Sequence, residues 1–110
     1  MPVEEERRRY PRVAVQQIVS LTSTTCIGDK AALTEDISLS GVLLKTNSCV
    51  AEGSEVALLL ALPAQITHSY EVRVLCRGRV LRRVERADRA AVAVEFSNYD
   101  LLRKYEAKAA

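Results

Sequence analysis

Apolar side chains recur at every second position through most of the chain. Val13, Val15, Gln17, Val19 and Leu21 alternate with Ala14, Gln16, Ile18 and Ser20, which is the pattern of a strand with one face inward and one outward. The threonine-rich run through Thr25 is compatible with more strand. Gly28-Asp29 predicts a turn, with a short return strand over residues 31–35. A further strand is expected at Val42-Leu43-Leu44 after the break at Gly41. Another is expected over Glu55–Leu62, after the Glu52-Gly53-Ser54 punctuation, and Pro63 ends it.

Residues 70–84 carry the clearest pattern. Val72, Val74, Cys76, Gly78, Val80 and Val84 share one face, while Arg73, Arg77, Arg79 and Arg83 share the other with Leu75 and Leu81. This predicts a long strand, or a bent pair, with a basic outer face, and Gly78 in its middle predicts a bend or bulge. Residues 85–88 form a polar turn, and Val92, Val94 and Phe96 alternate in a last strand. The period then lengthens. Ser97 or Asn98 would cap a helix with Asp100 in its first turn, an apolar stripe of Leu101, Leu102 and Tyr105, and Lys104 and Lys108 toward its C-terminal end. The expected fold is all-β: a six-stranded antiparallel β-barrel with a short C-terminal α-helix, closed because closure removes exposed strand edges. No internal repeat or low-complexity linker interrupts it.

Composition narrows the class. A chain of 110 residues, 48% apolar and 27% charged, forms one domain with one modest core and is not disordered as a whole. No apolar periodicity precedes Val13, so residues 1–12 are expected to be a flexible arginine-rich arm and residues 13–110 the barrel with its helix. The formal net charge is only +2, which argues against a protein coated in positive charge for bulk nucleic-acid binding. The arginines are clustered, however: Arg7, Arg8, Arg9 and Arg12 at one end, and seven between Arg73 and Arg89. Such patches on a nearly neutral chain suit a small anion or an acidic partner. The longest apolar run, residues 56–62, is about a third of a membrane span. The charged start from Glu4 does not resemble a leader, and a cytoplasmic location is expected. Cys26, Cys49 and Cys76 match neither a zinc pattern nor a disulfide framework. They are read as free thiols, with Cys76 as a small core residue.

The candidate chemistry lies in two short stretches. Arg8 and Arg12 are spaced R-x-x-x-R, and Asp36, Ser38 and Gly41 are spaced D-x-S-x-x-G. A guanidinium can donate two parallel hydrogen bonds to a phosphate or to O6 and N7 of guanine, and its flat face can stack on a base. An ionised Asp36 only accepts, which complements the N–H donors elsewhere on guanine. At an extended strand end Asp36 and Ser38 would point to one side, and Gly41 permits a close backbone approach. A guanine nucleotide with clustered phosphates would satisfy the whole set.

The stretches "ERRRYPR", "DISLSG" and later "VAVEF" together resemble the PilZ domain family over about residues 6–105. The resemblance implies a six-stranded barrel with a C-terminal helix and a receptor for the bacterial second messenger cyclic di-GMP. Arg8 and Arg12 match the family's arginine motif, with Arg7 and Arg9 as helpers, and Asp36, Ser38 and Gly41 match its second motif. Both motifs are complete. The ligand would be clamped between arm and barrel, and the ordering of the arm would be the output to a protein partner.

Other readings compete. The Arg73–Arg89 series reads most simply as an exposed strand face, and otherwise as a basic partner surface. His68 has no ligand-type neighbour at metal or catalytic spacing. No nucleophile triad, carboxylate pair or phosphate-cradling glycine loop supports an enzyme. No resident cofactor and no membrane partner are expected. A basic barrel for single-stranded nucleic acid is the main alternative, but no aromatic sits among the arginines of residues 73–83 to stack bases. A protein-binding adaptor without nucleotide affinity is the other.

Overall fold

A computed structural model describes residues 12–101 of the chain. Six strands follow one another: β1 (Ile18–Ser23), β2 (Cys26–Ile37), β3 (Gly41–Thr46), β4 (Glu55–Leu62), β5 (Val72–Glu85) and β6 (Ala90–Leu101). A single helical turn, α1 (Ala64–Thr67), lies between β4 and β5. All neighbouring strands are antiparallel, and the sheet closes in the order β1-β2-β3-β6-β5-β4. The alternation is the cause: each strand turns one row inward, and Leu21, Ile37, Leu44, Leu58, Val74 and Val92 meet there almost without solvent exposure.

One polar side chain extends the closure. β1 pairs β4 only through Leu21↔Leu58, Thr22↔Ala57 and Ser23↔Val56. Beyond that short ladder the Gln17 amide acts as a backbone unit. Its Nε2 donates to the Ala61 carbonyl at 3.0 Å, and the Ala61 N–H donates to its Oε1 at 2.9 Å. The polar member of an otherwise apolar row thus completes the seam.

Four expectations change. The turn is not at Gly28-Asp29. The chain turns at Thr24-Thr25, and β2 already begins at Cys26. Gly28 sits within β2 at φ +80, opposite the register shift between Leu21 and Ser23. The positive φ that marks turns therefore serves a bulge here.

The helix expected from Ser97 is absent through Leu101. Residues 97–101 continue β6, with Arg77↔Asn98, Cys76↔Tyr99 and Leu75↔Asp100 in register. The unpaired edge of β5 outweighs a local capping signal, because each added residue gains ladder bonds that an isolated turn lacks. Leu102, Lys104, Tyr105 and Lys108 lie outside the described residues.

The apolar face of β5 does not extend to Val84. Register shifts at Arg77/Gly78 and Val80/Arg82 rotate the strand, leaving Leu81 53% and Val84 42% exposed. The bulge expected at Gly78 is present, and a Cβ there would stand 2.2 Å from the Glu95 carbonyl oxygen.

Finally, Cys26 and Cys49 are joined in a disulfide. Their spacing of 23 residues hides the fact that the β1–β2 turn and the β3–β4 loop meet, with Cα atoms 6.0 Å apart. Cys76 is the free thiol, buried in the core.

Candidate ligand-binding site

The arm enters the barrel at Val13, which pairs with Ile37 through two backbone bonds of 2.8 and 3.0 Å. Three further bonds hold the next residues. Thr34 N–H donates to the Gln17 carbonyl at 2.9 Å, and Gln17 N–H to Thr34 Oγ1 at 2.9 Å. The Thr34 hydroxyl donates to the Val15 carbonyl. Val13 and Val15 pack on the core. Thr34, fully buried, is therefore a polar pin between arm and β2.

This anchoring delivers Arg12 to the end of β2. Its Nε donates to Asp36 Oδ1 at 3.0 Å, and its Nη2 lies 2.8 Å from the same oxygen. The pair is partly open to solvent, with side chains 39% and 26% exposed. One residue of each sequence motif is thus brought together, 24 positions apart in the chain. Because both contacts converge on Oδ1, Arg12 leaves Asp36 Oδ2 unengaged. The site can present donors and an acceptor side by side.

Asp36 faces outward because β2 shifts register between Thr34 and Asp36. The same shift sends Ile37 and Ser38 inward, both 0% exposed. Ser38 and Asp36 therefore do not point to one side, contrary to the simple alternation. The Ser38 hydroxyl builds the β2–β3 turn: its Oγ accepts from Ser40 N–H at 3.2 Å and Gly41 N–H at 3.3 Å. Ser38 N–H in turn donates to the Gly41 carbonyl at 2.9 Å. Gly41 is needed where β3 meets β6, since a Cβ there would stand 2.3 Å from the Val94 carbonyl oxygen. The close approach expected of this glycine is to a neighbouring strand.

The D-x-S-x-x-G motif thus divides its work: Asp36 faces outward, while Ser38 and Gly41 shape the turn beside it. Arg7, Arg8 and Arg9 lie outside the described residues. Sequence reasoning missed Gln17 and Thr34 as the pins that place Arg12. Gln17 was visible as the polar intruder in the row of Val13, Val15, Val19 and Leu21; Thr34 carried no such signal.

The PilZ domain model matches residues 6–106. The chain belongs to the PilZ domain family. No curated protein matches the sequence significantly. Among solved structures it is similar to the Bacillus subtilis inhibitor of motility (MotI/DgrA), with a TM-score of 0.66, 17% identity and 92% of this chain covered. At that identity the likeness speaks for the fold. The chain spans 47% of that protein's length. PilZ domains are binding and effector domains, and the exposed Arg12–Asp36 pair of this one lies beside the turn that its second motif builds.

Proposed function

We propose that this PilZ domain is a receptor for cyclic di-GMP, holding the nucleotide between the arginine arm and the end of β2. The observation that carries the reading is the Arg12–Asp36 pair, which unites the two motifs on the surface. Arg8 and Arg12 serve the phosphates and the O6/N7 edge of guanine; Asp36 accepts from N1–H and the amino group. Ser38 and Gly41 act through the turn, holding Asp36 and the nearby backbone in place. Arg7 and Arg9 add positive charge against a dianionic ligand.

In this reading Arg12 and Asp36 neutralise each other until the ligand arrives. The nucleotide then inserts its own donors and acceptors between them. An exposed pair of this kind contributes less than about 1 kcal/mol, so displacing it costs little. Ordering of the arm on the ligand is the output, read by a protein partner.

Isothermal titration of the full chain with cyclic di-GMP tests the proposal. Micromolar or tighter binding is expected, weakened roughly 30- to 150-fold by Arg8→Ala or Arg12→Ala, about 2–3 kcal/mol for one charged bidentate contact. A wild-type chain that gives no binding would leave a barrel that keeps the motif only as a turn and serves as a protein adaptor.

A further inference from the structure

A recess lies on the outer face of β1, β2 and β3. It has a volume of about 540 Å³, and its wall includes Ile18, Ala31, Leu33, Lys30, Lys45 and Arg89. An adjoining concavity of about 470 Å³ shares Leu33, Lys45 and Arg89 and continues toward the β5–β6 turn. None of these residues belongs to either nucleotide motif.

The floor is aliphatic. Ile18 on β1 is directly opposite Leu33 on β2, and Ile18 is 82% exposed. Leu33 in turn is opposite Lys45 on β3. The rim is mainly cationic, with Glu35 and Asp88 as the acidic members of the adjoining concavity. Lys45 is paired with Glu35 at 2.8 Å, but Lys30 and Arg89 take no ion pair among the described residues. An aliphatic strip beside uncompensated cations is complementary to carboxylates interleaved with aliphatic side chains.

Topology restricts how such a segment could bind. At Leu33, β2 is bonded on one side to β1 and on the other to β3, so no edge is open for an added strand. Recognition here has to go through side chains. Neither concavity is lined by an aromatic residue, so bases have nothing to stack on.

We propose that this face docks an acidic peptide segment of a partner protein, with its aliphatic side chains on Ile18, Ala31 and Leu33 and its carboxylates on Lys30, Lys45 and Arg89. Leu33 and Asp36 lie three residues apart on β2, so this docking face adjoins the candidate nucleotide site yet can be occupied without it.

The test is an amide-shift titration of the isotopically labelled full chain, free of nucleotide, with an acetylated hexapeptide of alternating glutamate and leucine at millimolar concentration. Matching lysine–leucine and glutamate–serine peptides serve as controls. Shifts are expected at Ile18, Ala31, Leu33 and Lys45 with the first peptide only. The double variant Lys30→Glu/Arg89→Glu should weaken binding by ~10-fold or more. Its retained spectral dispersion would show that it folds. Absence of shifts, shifts on another face, or equal binding of the lysine peptide would overturn the proposal. So would shifts of this face on dilution without peptide, which would assign it to a second copy. Shifts of this face on deletion of residues 1–6 would assign it to the chain's own Glu4–Glu6 run and equally overturn it.

Discussion

Two glycines and one thiol carry the sharpest residue-level consequences. Gly78 lies outside the candidate site, yet a Cβ there would stand 2.2 Å from the Glu95 carbonyl oxygen. Both atoms belong to paired backbone and cannot swing aside. Gly78→Ala should therefore lower unfolding free energy by about 1–3 kcal/mol in urea denaturation, and an unchanged midpoint would refute the close approach. Gly41 is under the same constraint against Val94, so loss of nucleotide binding in a Gly41 variant reports packing first. Cys76, with no solvent exposure, has its thiol pushed up from 9.0 to about 12 by burial. Below pH 9 both folded and unfolded chains keep this proton, and the group adds no pH dependence. Between 9.0 and about 12 only the unfolded chain loses it. Stability should then fall with rising pH, by up to about 1.4 kcal/mol per unit from this group. Cys76→Ala should flatten that slope; an identical slope in the variant would remove the thiol as its source.

At the scale of elements, the barrel depends on its closures. The Gln17 amide supplies both hydrogen bonds that Ala61 would otherwise take from a strand. Gln17→Leu keeps the size and leaves a donor and an acceptor unpaired at the seam, a cost of about 2–3 kcal/mol. Faster hydrogen exchange at Ala61 is the expected signature, and unchanged protection would mean the seam closes without it. The loop after β3 is closed differently. Arg83 was expected on a solvated strand face, but its side chain is 21% exposed and Nη1 donates to the Ser48 and Val50 carbonyls at 2.9 and 2.8 Å. The Cys26–Cys49 disulfide holds the same loop from the other side, across a separation of 23 residues. Reduction should cost about 3 kcal/mol through the regained freedom of the unfolded chain. A melting temperature indifferent to reductant would show that Arg83 and Val50 hold the loop alone.

For the whole molecule, the proposed function makes the nucleotide the link between the closed barrel and the arm. Stability and affinity should therefore separate. Arg12→Ala removes a partly exposed pair, so it should change the unfolding free energy by less than about 1 kcal/mol while sharply weakening the nucleotide. Wild-type chain saturated to 100 times Kd should gain about 2.7 kcal/mol in stability, and Arg8→Ala at the same concentration much less. Equal thermal shifts in the two would mean that the nucleotide stabilises the chain without the arm.

The barrel was legible in the sequence because alternation is a local property. Inward rows such as Val72, Val74 and Cys76 can be read without knowing what they face, and so can the R-x-x-x-R and D-x-S-x-x-G spacings. What pairing decides was not legible. The register shift before Asp36 turned Ser38 inward, the shifts in β5 exposed Val84, and the edge of β5 drew residues 97–101 into a strand. The meeting of Cys26 with Cys49 and the placement of Arg12 on Asp36 are of the same kind. One residue of slip across a ladder reverses every face beyond it, and no local pattern contains the partner strand that sets it. The sequence alone determined that the chain would form strands and marked Arg12, Asp36, Ser38 and Gly41 as candidates for one site. Only the closed sheet decided which of those residues reach the surface and which build the turn beneath them.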